Sequence, residues 1–317
     1  MSVPSGAIPP DLWAITTYFN PVGYKRRLAN YRVFRRHLNV PLVAVELSFG
    51  GPFELEPDDA DILIQLRGTD VLWQKERLFN IAFEAVPKDC DKIAWLDADV
   101  LFADPGWPLA ASRRLDKVRL LHLFSDFKML RRDCLPSDGA RGVEGCRQSV
   151  VKAYASGTLS PPSCPSKATP PRGCFAWGLA WAARREVLEV DGLYDACVLG
   201  GGDMAATCAA YGDFEVPVAR LGMNLEQRAH YLSWAERWKE TVRGSVGCLD
   251  GSLYHLWHGD TKRRGYQDRY SVLTDHRFDP NTDIGLDENG CWQWTLADDL
   301  ELPPKVRAYF HSRQEDR

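Results

Sequence analysis

The chain has 317 residues, 45% of them hydrophobic and 26% charged, which is the composition of a folded globular protein and excludes extensive disorder. Its 39 basic and 43 acidic residues leave a formal net charge of −4, so overall charge gives no reason to expect a polyanionic partner. Residues 113–152 are locally basic, which is typical of a solvated surface and also compatible with an anionic partner.

The sequence has no feature of export or membrane insertion. Its first residues form neither a basic segment nor an apolar one, and the longest uncharged run, 173–183, is far shorter than the ~20 residues that a membrane-spanning helix needs. The nine cysteines include no Cys-x-x-Cys pair, which disfavours a zinc knuckle and favours reduced thiols. We therefore expect a cytoplasmic protein.

Strands and helices alternate over the first hundred residues. Apolar stretches predict strands at 12–19, 41–49, 60–66 and 92–102, and amphipathic segments predict helices at 25–38 and 73–86. Strands joined by single helices predict right-handed crossovers and an α/β fold with a mixed, mostly parallel sheet flanked by helices. In such sheets ligands bind at the carboxyl ends of the strands.

The pattern is less regular after Asp104. A strand is predicted at 118–124, and the Pro-, Gly-, Ser- and Cys-rich stretch 133–173 predicts a long loop or lid. A helix is predicted at 184–192, and three glycines at 200–202 lead into another.

Two carboxylates, Asp97 and Asp99, interrupt the apolar run IAWLDADVLF and need a compensating positive charge. Two positions apart on a strand, they would point to the same face and could share one divalent cation. Three interpretations fit: a solvated strand end, the Asp-x-Asp of a haloacid-dehalogenase-type phosphatase, and the metal-binding Asp-x-Asp of a glycosyltransferase. The phosphatase is disfavoured by Leu101, where that family has Thr or Val, and by the three predicted strands before the motif.

From about Trp73 to Arg269 the sequence resembles the β-1,4-galactosyltransferase group of GT-A glycosyltransferases. WQKERLFN at 73–80 is similar to that family's F-N-R-A-K-L-L-N helix, which precedes its Asp-x-Asp strand. CFAWGLAWAARREVLEVDGLYD is similar to the segment that shapes the donor and acceptor sites, and SLYHLWHGDTKRRGYQDR to the segment that completes the metal site. The resemblance implies a Rossmann-like GT-A domain and a metal-dependent, inverting transfer from a nucleotide-sugar donor, with a UDP-sugar favoured.

The resemblance also implies site residues. Asp99 and His258 would hold a divalent metal, with His255 as a weaker ligand, and imidazole ligands favour Mn²⁺ over the alternative, Mg²⁺. Asp203 would be the general base, although an ungapped match sets Met204 against the family's base and Asp203 could instead cap a helix. The implied nucleotide-sugar contacts are Thr17, Tyr18, Trp73, Lys75, Asn80, Asp97, Gly178 and Gly202.

We predict that residues 1–279 form the catalytic domain and 280–317 a C-terminal extension. The sequence does not identify the acceptor, and an anionic compound and a modified nucleic-acid base both stay open. Because the Gly-Gly-Gly-Asp turn departs from the family pattern, a nucleotide-sugar binding protein without catalysis remains the alternative from another class.

Overall fold

The computed structural model describes residue 9 and residues 11–159, 175–265, 269–296 and 301–317. The strands are β1 (Leu12–Phe19), β2 (Leu42–Ser48), β3 (Ile62–Arg67), β4 (Lys92–Leu96), β5 (Val100–Phe102), β6 (Leu120–His122), β7 (Asp126–Leu130), β8 (Val143–Ser149), β9 (Phe175–Ala176), β10 (Ala180–Arg184), β11 (Val246–Cys248), β12 (Ser252–His255), β13 (Ile284–Leu286) and β14 (Trp292–Trp294). The α-helices are α1 (Lys25–His37), α2 (Lys75–Glu84), α3 (Trp107–Leu115), α4 (Val150–Ala155), α5 (Arg185–Leu188), α6 (Gly202–Tyr211), α7 (Glu215–Arg220), α8 (Leu225–Val242), α9 (Ser271–Asp275) and α10 (Leu302–Ser312). Short 3-10 turns lie at Pro57–Asp59, Pro136–Gly142 and Thr261–Arg264.

The central sheet has the strand order β11-β6-β10-β4-β1-β2-β3. Its described pairings are parallel except those of β10, which runs antiparallel to both β4 and β6. All residues of β2 are buried, as expected for a strand covered on both faces. Val43 and Val45 pack into one hydrophobic cluster, whereas Leu42 and Ala44 pack into the other. The predicted mixed, mostly parallel sheet flanked by helices is therefore confirmed.

A second sheet, with the order β5-β12-β7-β8-β9, was not predicted. Residues 143–155 fall in the predicted loop 133–173 but form β8 and α4, and Val150 and Val151 at the start of α4 are buried. β8 is only partly buried and is held by its pairing with β7. Its sequence VEGCRQS therefore needs no alternation of apolar and polar residues, and it shows none. Residues 160–173 of the predicted loop lie outside the described residues.

The prediction of one strand over 92–102 is wrong. β4 ends at Leu96 and β5 begins at Val100, so that Asp97 and Asp99 lie in the turn between them. At Asp97 the backbone N–H donates to the carbonyl of Leu179 in the loop before β10, and the carbonyl of Asp99 accepts from Leu256 N–H, just after β12. The chain thus passes from one sheet to the other at the Asp-Ala-Asp turn, and strand periodicity does not place the two carboxylates on one face.

The described residues of the range 280–317 pack against the rest of the chain. Trp292 Nε1 donates to the carbonyl of Asp195, and Phe310 in α10 belongs to the same hydrophobic cluster as Phe19 of β1. The boundary at residue 279 stays a prediction. The described cysteines are all free thiols, and no described helix combines the length and apolarity of a membrane span.

Candidate active site

A cavity of about 750 Å³ opens at the carboxyl ends of β1 and β4 and is lined by residues of both sheets. Ten of the twelve predicted site residues line it: Thr17, Tyr18, Trp73, Lys75, Asp97, Asp99, Gly178, Asp203, His255 and His258. The fold therefore collects residues from the predicted helix, the Asp-Ala-Asp turn and the glycine-rich turn in one wall.

Three of these residues form a group able to hold a metal ion. Ligand atoms of Asp99, His255 and His258 all lie within 4.8 Å of one another. Nε2 of His258 is 3.2 Å from Oδ2 of Asp99 and 3.2 Å from Nε2 of His255. Oδ1 of Asp99 is buried and has no hydrogen-bond partner, which leaves an uncompensated acceptor at the centre of the group.

The protonation of the two imidazoles suits metal binding. Burial, assisted by Arg264, lowers the pKa of His255 to about 3 and the pKa of His258 to about 4, so both rings are neutral at pH 7. Nη2 of Arg264 lies 2.9 Å from Nε2 of His258, and because a guanidinium can only donate, Nε2 carries the lone pair. One carboxylate and two neutral imidazoles are a donor set for a divalent transition metal such as Mn²⁺, so the residues fit the predicted ion.

Beside this group, Lys75 joins two carboxylates. Its Nζ lies 2.5 Å from Oδ2 of Asp203 and 3.2 Å from Oδ1 of Asp97. Burial opposes a charge on Lys75, but Asp203, Asp97 and Glu76 raise its pKa well above the usual value. Burial raises the pKa of Asp97 to about 7 and that of Glu76 to about 8, with the attraction of Lys75 opposing both shifts.

Two glycines leave room for these carboxylates. A Cβ at Gly178 would lie 2.3 Å from Oδ2 of Asp203, and a Cβ at Gly202 would lie 2.5 Å from Oε1 of Glu76. Both distances are far inside van der Waals contact, so the carboxylates approach the backbone only because these positions are glycine. Gly202 itself is outside the cavity wall and lies against Glu76, and its contact with a nucleotide-sugar stays a prediction.

Asn80 also lies outside the cavity wall. Its Nδ2 donates to the carbonyl of Leu193 at 2.9 Å, and its Oδ1 accepts from Leu193 N–H at 2.8 Å. Both ends of the Asn80 amide therefore hold α2 to the chain at Leu193, and the nucleotide contact of Asn80 stays a prediction.

Trp73 lines the cavity, but other side chains cover its ring. The ring stacks on Phe310 at 6.2 Å between centroids, and the guanidinium of Arg313 lies 5.1 Å from its centre. Nε1 of Trp73 is buried without a hydrogen-bond partner among the described residues.

Several charged residues of the wall belong to no motif in the sequence. Six arginines line the cavity: Arg27, Arg147, Arg220, Arg264, Arg269 and Arg313. Guanidinium groups suit phosphate oxygens, although Arg27 and Arg313 already donate to Glu315. The wall also holds Glu76 and Glu315, and no spacing in the sequence connects these residues with the Asp-Ala-Asp turn.

Tyr18 and Thr17 are placed by β1. The hydroxyl of Tyr18 donates to Oε2 of Glu54 at 2.7 Å, and its side chain is buried, so it supports the wall chiefly through packing. Thr17 precedes it on the strand and is half-buried at the cavity.

No family model matches the chain, and no curated protein matches it in sequence. Among solved structures, it is similar to the mannosyltransferase PcManGT from Pyrobaculum calidifontis, solved with GDP-Man and Mn²⁺, at 13% identity over 95% of this chain and 68% of that one, with a TM-score of 0.42. It is also similar to glucosyl-3-phosphoglycerate synthase from Mycobacterium tuberculosis, solved with Mn²⁺, UDP and phosphoglyceric acid, at 11% identity, 87% and 81% coverage, and a TM-score of 0.41.

A third similar structure is the catalytic domain of Drosophila β1,4-galactosyltransferase 7 with xylobiose, at 11% identity, 93% and 98% coverage, and a TM-score of 0.36. The solved structures that the chain resembles thus include glycosyltransferases, one of them from the galactosyltransferase group that the sequence resembles. All these TM-scores are below 0.5, so the assignment of function depends on the geometry of the site itself.

Proposed function

We propose that the protein is a metal-dependent GT-A glycosyltransferase that transfers a sugar from a nucleotide-sugar to an acceptor hydroxyl with inversion. The observation that carries the proposal is one cavity wall that holds the group Asp99, His255 and His258 together with the carboxylate of Asp203. A metal centre and a separate carboxylate are the two parts that an inverting transfer requires.

The donor diphosphate would bind at the positive part of the wall. A divalent ion held by Asp99, His255 and His258 would neutralise the charge that develops on the departing diphosphate. Arg264 lies directly beside His258, so its guanidinium would contact the same phosphate oxygens. Two imidazoles in the donor set favour Mn²⁺ over Mg²⁺, which prefers oxygen ligands.

Asp203 would accept the proton of the acceptor hydroxyl. Lys75 donates to Oδ2 of Asp203, which fixes the carboxylate, and Oδ1 would be the atom that accepts the proton. Asp203 lies in the first turn of α6, where the helix dipole stabilises its negative charge. The ion pairs of Lys75 would thus position the Asp203 carboxylate for this role.

A thermal-shift screen of UDP-, GDP- and TDP-sugars, each with and without Mn²⁺, tests the proposal. Ligand at 100 times its Kd stabilises a protein by about 2.7 kcal/mol, so one nucleotide class should raise Tm in the presence of Mn²⁺ only. Asp99→Asn should remove that increase. Failure of every nucleotide-sugar to shift Tm would contradict the proposal, and binding without turnover in acceptor screens would favour the non-catalytic alternative.

A further inference from the structure

Residues 313–316 pack against the loop that carries His258. Gly259, the residue after His258, has φ +87, and a Cβ there would lie 3.0 Å from Cα of Glu315 and 3.2 Å from the carbonyl oxygen of Arg313. Arg263 also hydrogen-bonds to Gln314. The backbone around His258 is therefore fitted to this segment, although 57 positions separate His258 from Glu315.

The segment places a buried carboxylate behind His258. The side chain of Glu315 is 1% exposed, and its oxygens accept hydrogen bonds from Arg27 at 2.6 and 2.9 Å and from Arg313 at 2.5 Å. Oε1 of Glu315 lies 3.9 Å from Nδ1 of His258. Two arginines thus fix an acidic group beside the ring nitrogen that does not face Asp99.

We infer that Glu315 is a positioning residue for the metal ligand His258. It would hold the ring proton on Nδ1, so that the lone pair of Nε2 faces the proposed metal site that His258 shares with Asp99. This inference rests on the proposed metal site. The contact of Arg264 with Nε2 already requires the proton to be on Nδ1, and a carboxylate near Nδ1–H stabilises that tautomer. Metal-bound histidines commonly rely on such an outer carboxylate, whose loss typically weakens metal affinity by about 10- to 100-fold.

Asp316 offers a matched control in the same segment. Its carboxylate accepts from the backbone N–H of Lys25 at 3.1 Å and of Arg26 at 2.8 Å, and so anchors the segment to the start of α1. If Glu315 only anchored the segment, Asp316→Asn and Glu315→Gln should have similar effects on the site.

The test compares the full-length chain with Glu315→Gln and Asp316→Asn by two measurements. Mn²⁺ affinity is obtained from the electron paramagnetic resonance signal of free Mn²⁺, and the His258 tautomer is obtained from ¹⁵N shifts of histidine-labelled, metal-free protein. Glu315→Gln should weaken Mn²⁺ binding by about 10-fold or more and move the His258 proton away from pure Nδ1–H, whereas Asp316→Asn should change neither.

The outcomes separate this inference from the proposed function. Absence of Mn²⁺ binding in the unmodified protein would overturn the metal site, while the tautomer measurement would still report on Glu315. Mn²⁺ binding that is equally tight in Glu315→Gln, with an unchanged tautomer, would overturn the positioning role. If Glu315→Gln does not fold, Glu315→Asp keeps the charge but withdraws it from Nδ1, and it should show the same changes to a smaller degree.

Discussion

Lys75 and Asp203 are 128 positions apart in the chain, yet Nζ of Lys75 lies 2.5 Å from Oδ2 of Asp203. The same ammonium group lies 3.2 Å from Asp97, at the start of the turn that carries Asp99. A single cation on α2 thus connects the proposed base on α6 with the turn of the proposed metal ligand. The separation between the two parts of the site is therefore set by partly buried ion pairs.

Asp203→Asn should abolish proton acceptance while keeping the shape of the side chain. We expect donor binding to persist and the rate of transfer to fall by about 10² to 10⁴, the usual contribution of a general base. Transfer rates and the anomeric configuration of the product are measured together. Near-normal turnover, or a product that retains the donor's configuration, would exclude Asp203 as the base of an inverting reaction.

Gly178→Ala should displace the same carboxylate without removing it, because the new Cβ would lie 2.3 Å from Oδ2 of Asp203. A misplacement of about 1 Å in a catalytic group costs on the order of 10²-fold in rate, so kcat should fall strongly. Gly51→Ala is the control, since a Cβ at Gly51 would have no neighbour within 4 Å. Equal activities of the two variants would show that the position of Asp203 is unimportant.

Glu76→Gln should change how stability depends on pH. Burial raises the pKa of Glu76 to about 8, so its contribution to stability is complete below the pKa of the unfolded chain and is lost as pH rises through about 8. The Gln variant cannot ionise, so its Tm relative to the unmodified protein should rise between pH 6 and pH 9. A Tm difference that is constant over this range would contradict the shifted pKa.

Trp73→Phe separates packing from ligand binding. Phenylalanine keeps an aromatic ring against Phe310 but lacks the indole N–H, which is buried without a partner at the cavity. Loss of a hydrogen bond worth about 0.5–1.5 kcal/mol should weaken donor affinity by roughly 2- to 13-fold, with only a small change in Tm. An unchanged donor Kd would show that Trp73 serves packing alone, and Trp73→Ala should lower Tm in either case.

The sequence predicted the first half of the central sheet well because its inner strands are mostly apolar and buried. β2 is apolar except for Glu46 and Ser48, and amphipathic α1 and α2 separate the strands, so the pattern alone predicts parallel crossovers. The second sheet escaped prediction because β8 is held by pairing with β7 rather than by an apolar face, and its sequence VEGCRQS has no strand periodicity.

The candidate site was predictable only where a motif marked it. Asp99, His255 and His258 belong to segments that resemble a known family, and the structure places them together. Glu315 belongs to no motif, and its relation to His258 arises from the packing of residues 313–316 against Gly259. Asn80 shows the converse, because a residue identical to the family's asparagine forms hydrogen bonds with Leu193 and is absent from the cavity wall.

The central claim is that Asp99 and His258 hold the metal through which the nucleotide binds, and calorimetric titration of UDP, GDP and TDP tests it most directly. The titrations are made with and without Mn²⁺ on the unmodified protein, Asp99→Asn, His258→Ala and the control His37→Ala, which changes an exposed histidine on α1. We expect Mn²⁺ to strengthen binding of one nucleotide by about 10-fold or more in the unmodified protein and the control, and to have no effect in the two ligand variants. Mn²⁺-dependent binding that persists in both ligand variants would contradict the account.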